Sequence, residues 1–135
     1  DTRRINNYYL ALSNIERIGD HAMNIAEYTR NMKKWDISFS DDARTEIKKM
    51  KQVSMNILDV IDFTDATTPA AQLETISKYE FLMDDMEKKY RKRQIKRAKK
   101  GDCKAESGIL FSELLTDFER IGDYALNIGE LHADM

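Results

Sequence analysis

Apolar side chains recur every three or four positions along four segments of the chain, the spacing of an amphipathic helix. In the first segment, from Thr2 to Lys33, these positions are Ile5, Tyr8, Tyr9, Leu12, Ile15, Ile18, Ala22 and Ile25. Trp35-Asp36-Ile37-Ser38-Phe39 reads as a loop, and Ser40 or Asp41 suits the N-cap of a second helix reaching Phe63. Its stripe is Ile47, Met50, Ser54, Ile57, Leu58 and Ile61. Residues 64–69 break the pattern; Thr68 suits an N-cap and Pro69 the first helical position, where its missing N–H costs nothing. The third helix is predicted from Pro69 to Lys100, with Leu73, Ile76, Tyr79, Met83, Met86 and Tyr90 facing the core. Gly101 suits a left-handed stop, and Lys99 and Lys100 complement the helix dipole. The fourth helix is predicted from Asp102 to His132, with Leu110, Phe111, Leu114, Phe118, Ile121, Ala125 and Ile128 inward.

The fold class is therefore all-α. Helices of roughly 22 to 32 residues would be roughly 33 to 48 Å long. Short loops between them predict an antiparallel up-down bundle of four long helices. A three-helix bundle with one long extension is the alternative.

Composition narrows the class further. Of 135 residues, five are Gly and one is Pro, too few for a sandwich, a barrel or a Gly-looped nucleotide fold. A single Cys excludes an internal disulfide and a Cys-rich zinc site. No apolar run approaches the length of a membrane span, and the first residues lack the apolar core of a signal peptide. A soluble domain from a reducing compartment is expected. The first residue is Asp rather than Met, so an excised piece of a longer protein is expected too.

The first and fourth helices repeat one another. Glu16-Arg17-Ile18-Gly19-Asp20-His21-Ala22 aligns with Glu119-Arg120-Ile121-Gly122-Asp123-Tyr124-Ala125, and Asn24, Ile25 and Glu27 with Asn127, Ile128 and Glu130, at a constant offset of 103 positions. The expected organisation is a complete three-helix unit over 36–135, preceded by the last helix of an earlier unit over 1–35. The plainer alternative is a four-helix bundle with two duplicate helices.

Each repeat carries an acidic pair. Glu16 and Asp20, or Glu119 and Asp123, stand at i and i+4, about 40° apart on the helix and beside the apolar stripe. Glu80 and Asp84 repeat the spacing on the third helix, and Glu87 follows. If the third and fourth helices are antiparallel neighbours, Glu80, Asp84, Glu119 and Asp123 can meet along one groove. Carboxylates so gathered repel, and a multivalent cation offsets that repulsion. All-oxygen ligands favour a hard or borderline cation. A solvated acidic flank paired with Arg17 and Arg120 is the plain alternative. Gly19 and Gly122 each cost about 1 kcal/mol relative to Ala inside a helix, which close approach of a neighbouring helix beside the carboxylates would explain.

The segment Glu16 to Glu27 resembles the signature helix of the PhoU family, and Glu119 to Glu130 matches it with Tyr124 for His and Gly129 for Ala. Glu80-x-x-x-Asp84-x-x-Glu87 resembles the acidic motif of the preceding helix in that family. The stretch from Tyr90 to Leu115 is similar to the cytoplasmic C-terminal region of bacterial Na⁺/phosphate cotransporter-related proteins. The resemblance implies a regulatory domain of phosphate uptake rather than an enzyme. It implies a place at the inner face of the cell membrane, with a membrane transporter portion as partner. It also implies multinuclear metal binding, of iron, zinc or manganese, through Glu80, Asp84, Glu119 and Asp123. Glu16 and Asp20 would belong to a second site whose partner helix is not in this sequence.

Other features point elsewhere or nowhere. Nine cations crowd residues 88–100, read as a solvated helix end or a membrane-facing patch. Nucleic acid is not an expected partner, because the net charge is −2 and aromatics are not interleaved with the cations as a base-stacking platform. His21 projects away from the acidic strip and is expected to pack or lie at the surface; His132 sits at a helix end, and Cys103 at a helix start without an adjacent His. A bare flank beside the first helix would invite homodimerisation. Two other classes compete. A carboxylate-bridged metalloenzyme would use inward-facing Glu-x-x-His motifs, which the sequence lacks. A helical interaction module would need no metal.

Overall fold

The computed structural model describes residues 2–64 and 68–135. Asp65, Ala66 and Thr67, within the predicted interhelical break, lie outside the described residues. The described residues form four helices: α1 (Thr2–Lys34), α2 (Asp41–Val60), α3 (Pro69–Lys99) and α4 (Ala105–Ala133). No helix among the described residues is long and apolar enough to cross a membrane.

The helix ends follow from local chemistry. Ser40 and Thr68 cap α2 and α3, their side chains accepting from Ala43 N and Ala71 N at 3.2 Å each. Gly101 takes φ +72°, so that Asp102 N–H reaches Arg97 O at 2.9 Å and Gly101 N–H reaches Ala98 O at 3.1 Å. This paired closure satisfies the last carbonyls of α3. Asp36 closes α1 the same way at φ 52°, with Ile37 N–H on Met32 O at 2.9 Å. Two boundaries differ from the sequence reading. Helix α2 stops at Val60, three residues early, because Gln72 draws the Asp62 backbone away, accepting from its N–H and donating to its carbonyl. Helix α4 starts at Ala105, because Asp102 and Cys103 are spent in the turn after Gly101.

Helices α2, α3 and α4 form a three-helix bundle around Met50, Ile57, Ile76, Met83, Phe111, Leu115 and Ile128, all buried. Helix α3 runs antiparallel to both of its neighbours, as Arg97–Glu46 and Arg91–Ser112 at one end and Ile76–Gly129 at the other require. Helix α1 lies antiparallel along α4 and, among the described residues, packs along no other helix.

That placement corrects the reading of α1. Its buried positions are Asn7, Ala11, Asn14 and Ile18. The predicted stripe is largely bare: Ile5, Tyr9, Leu12 and Ile15 are 46 to 71% exposed. The repeat supplies the physical reason. Positions equivalent to the buried Asn7, Ala11, Asn14 and Ile18 are Leu110, Leu114, Asp117 and Ile121 of α4, all buried. Positions equivalent to Phe111, Leu115, Phe118, Gly122 and Ala125 are Tyr8, Leu12, Ile15, Gly19 and Ala22. Helix α4 buries this second face under α2 and α3, whereas on α1 it is exposed. Periodicity reports that a face is apolar; it does not report what covers it.

The α1–α4 seam is polar and nearly two-fold. Asn127 Nδ2 donates to Asn14 Oδ1 at 3.2 Å, and the equivalent pair places Asn24 Nδ2 on Asp117 Oδ1 at 3.4 Å. His21 Nδ1 lies 2.8 Å from the same buried Asp117 oxygen, and its ring stacks on its own repeat counterpart, Tyr124, with centroids 5.7 Å apart. His21 is thus a packing residue at this interface.

Candidate functional site

The antiparallel register of α3 and α4 decides which acidic residues meet. Gly122 faces Met83: a Cβ on the glycine would lie 2.9 Å from Met83 Sδ. Absence of that Cβ lets the two helices close at this level. It also sets Asp84, next to Met83, level with Asp123, next to Gly122. Glu80 lies one turn from Asp84 on the same face. Carboxylate oxygens of Glu80, Asp84 and Asp123 all lie within 4.8 Å of one another, each side chain half-buried.

Burial first, then the hydrogen bond and charge of Asp84, push the Glu80 carboxyl up to about 7. Burial also raises Asp123, opposed by its hydrogen bond with Glu80, and the Asp84 charge raises it further. Without metal, Glu80 and Asp123 therefore share a proton more readily than isolated carboxylates do. Glu119 stands one turn along α4 toward Arg91. Burial, then the charges of Glu87, Asp123 and Asp84, raise its carboxyl, while Arg91 lowers it.

Arg91 ends the acidic strip. Its guanidinium pairs with Glu87, donates to Ser112 Oγ at 2.7 Å and to Thr116 Oγ1 at 2.8 Å. Beyond it the α3–α4 groove becomes apolar, an opening of about 570 Å³ lined by Ile95, Ala98, Gly108 and Ile109 among others.

The structure thus brings together Glu80, Asp84 and Asp123, with Glu119 and Glu87 alongside. Glu16 and Asp20 stand apart from this group, exposed on α1. Gly19, the counterpart of Gly122, would meet nothing within 4 Å if it carried a Cβ, so its use for close approach finds no partner among the described residues. Sequence reasoning passed over the Arg91 clamp, although Glu87 and Arg91 stand at the i, i+4 spacing that signals it. It also passed over Glu46, a buried carboxylate that binds Arg97 at 2.8 Å and Arg93 at 3.3 Å across α2 and α3.

Oxygen-only donors from two rigid helices suit a hard or borderline cation, whose charge would replace the shared proton. Among the described residues the trio is made of carboxylates alone, an arrangement able to hold a cation or to exchange a proton.

The chain is 29% identical over 123 residues to the Phosphate-specific transport system accessory protein PhoU homolog 1 of Thermotoga maritima (strain ATCC 43589 / DSM 3109 / JCM 10099 / NBRC 100826 / MSB8). The match covers 87% of this chain and 50% of that protein, so the chain spans about half the length of this relative. No solved structure gives a significant match. The PhoU domain profile matches residues 1–29 and 47–131, which include both repeats and every residue of the carboxylate group. The chain belongs to the PhoU domain family.

Proposed function

We infer that this domain regulates phosphate transport and that its α3–α4 carboxylates hold metal ions in doing so. The observation that carries the metal reading is the convergence of Glu80, Asp84 and Asp123 within 4.8 Å across two helices. Glu80, Asp84 and Asp123 would hold the ion, with Glu119 one turn along the strip. Iron, zinc or manganese bound here supplies positive charge that ties α3 to α4. Arg91 keeps the next turn of the groove neutral, so binding stiffens the acidic half alone. The role is that of a regulator rather than a catalyst in this reading, which rests on the family and on the relative's name as an accessory protein.

The phosphate reading rests on membership of the family and on the relative's name, that of a transport-system accessory protein. Similarity of residues 90–115 to the cytoplasmic region of sodium/phosphate cotransporter-related proteins favours sodium-coupled uptake and a place at the inner membrane face. Helix α1 is the last helix of another three-helix unit in this reading. Its bare face, Tyr8, Leu12, Ile15, Gly19 and Ala22, would be covered by a hairpin equivalent to α2–α3, which would also complete a site at Glu16 and Asp20.

The test is uptake of labelled phosphate, with and without sodium, in cells whose native gene carries Glu80→Gln/Asp84→Asn/Asp123→Asn. Altered sodium-dependent uptake at normal protein level is expected. Unchanged uptake in that variant would remove the metal from the mechanism. Unchanged uptake after deletion of the whole domain would remove the regulatory reading.

A further inference from the structure

Charge on α3 is segregated. Glu80, Asp84 and Glu87 lie along the edge facing α4. The opposite side carries Lys89, Lys92, Lys96 and Lys100, three or four positions apart and all exposed, a row roughly 16 Å long. Helix α2 adds Lys49, which lines one shallow groove with Lys96, Arg93 and Arg97. None of these five lysines forms an ion pair among the described residues. Acidic groups on this face are Asp42 and Asp85, at its two ends, and Glu46, which is buried.

We propose that the lysine face of α2 and α3 docks on an anionic lipid bilayer. This inference is independent of the metal reading. Four observations select the occupant. Arg97, a side chain suited to forked recognition of a single phosphate or carboxylate, is turned inward onto Glu46, and the half-exposed Arg93 donates to the same carboxylate. What faces outward is a row of point charges on flexible stems, matched to a diffuse negative surface. The groove between the helices has no apolar lining residue, so a protein partner would find no anchor pocket. Tyr90, the nearest aromatic, is buried under Arg93 and cannot stack on a base. Docked this way, the domain leaves the carboxylate edge of α3 facing the cytosol-side solvent, open to metal and partners.

The test is sedimentation with vesicles of phosphatidylcholine alone or with phosphatidylserine. Binding is expected only to the anionic vesicles and should fade as salt shortens the screening length from about 10 Å at 0.1 M to about 3 Å at 1 M. Each lysine near such a surface contributes about fivefold, so Lys49→Gln/Lys89→Gln/Lys92→Gln/Lys96→Gln should weaken binding more than about 100-fold. A matched control, Lys33→Gln/Lys34→Gln/Lys48→Gln/Lys51→Gln, loses the same charge away from this face and should bind within a few-fold of the parent. Circular dichroism checks that both remain helical. The proposal is overturned by absence of anionic-vesicle binding at low salt, by equal loss in both variants, or by tighter binding to duplex DNA than to the vesicles.

Discussion

Glu80→Gln should stabilise the metal-free domain at pH 8 and leave its stability at pH 4.5 unchanged. Glu80 sits in a half-buried group with Asp84 and Asp123, and burial with the Asp84 hydrogen bond raises its carboxyl from 4.5 to about 7. A raised folded value means that the folded state holds the proton more tightly than the unfolded chain. The resulting stabilisation is complete below about pH 4.5 and is lost as pH rises through about 7. At about 1.4 kcal/mol per pH unit the gap corresponds to roughly 3 kcal/mol. Solvent reaches this strip and screens it, so about 1 kcal/mol is expected to be measured. Asp123 and Glu119, also raised, act in the same direction. The assay is urea unfolding followed by helical circular dichroism, in chelator, for parent and variant between pH 4.5 and 8. Their difference should grow from near zero to about 1 kcal/mol in favour of the variant. A difference that is flat across that range, or one favouring the parent at pH 8, would refute the shared-proton description. Excess manganese should reverse the order at pH 8, because a ligand bound only by the folded parent stabilises it by mass action.

Three further outcomes test the packing. Gly19→Ala should raise stability by about 1 kcal/mol, since a Cβ there meets nothing, whereas Gly122→Ala should gain less or lose, because Met83 Sδ lies 2.9 Å from the new atom; equal gains in thermal melts would contradict the α3–α4 register. Asp117→Ala removes the buried acceptor shared by His21 and Asn24 and should cost about 1–3 kcal/mol in urea unfolding; no loss would mean that the seam is not packed as described. Glu46→Ala leaves the partly buried Arg97 without its carboxylate and should cost about 2–4 kcal/mol in the same assay, a loss that Glu46→Gln only partly restores.

Much of the fold was legible because the rules behind it are local. Ser40, Thr68, Pro69 and Gly101 act where capping chemistry places them, and the core positions of α3 and α4 follow the helical period. Asp36 as a left-handed stop was not legible, because only glycine announces that conformation plainly. Helix α1 shows where periodicity runs out. Ile5, Leu12 and Ile15 form an apolar face as regular as that of α4, yet the covered side is the weaker one bearing Asn7 and Asn14. That choice depends on long-range pairing with α4, and the hydrogen bond from Asn127 to Asn14 is its mark.

For the candidate site, the i, i+4 pairs identified the residues, and the antiparallel assumption brought them to one groove. Which of them truly converge required the register. Gly122 opposite Met83 puts Asp123 with Glu80 and Asp84 and leaves Glu119 a turn away. Glu16 and Asp20 have the same spacing but face no helix among the described residues, so nothing described converges on them. Basic residues at the end of α3 were equally visible as a group. Lys89, Lys92, Lys96 and Lys100 form no ion pair among the described residues, whereas Arg91 is held by Glu87 and by α4, and Arg93 and Arg97 by Glu46 across the α2–α3 packing.

The central claim, that Glu80, Asp84 and Asp123 hold a metal ion, is tested most directly by calorimetric titration of chelator-stripped protein with manganese and zinc. The parent should bind stoichiometrically, and Glu80→Gln/Asp84→Asn/Asp123→Asn should remain helical and bind neither. A parent that binds neither ion, or a variant that binds as the parent does, would contradict the account and make the acidic edge of α3 and α4 a surface for a protein partner.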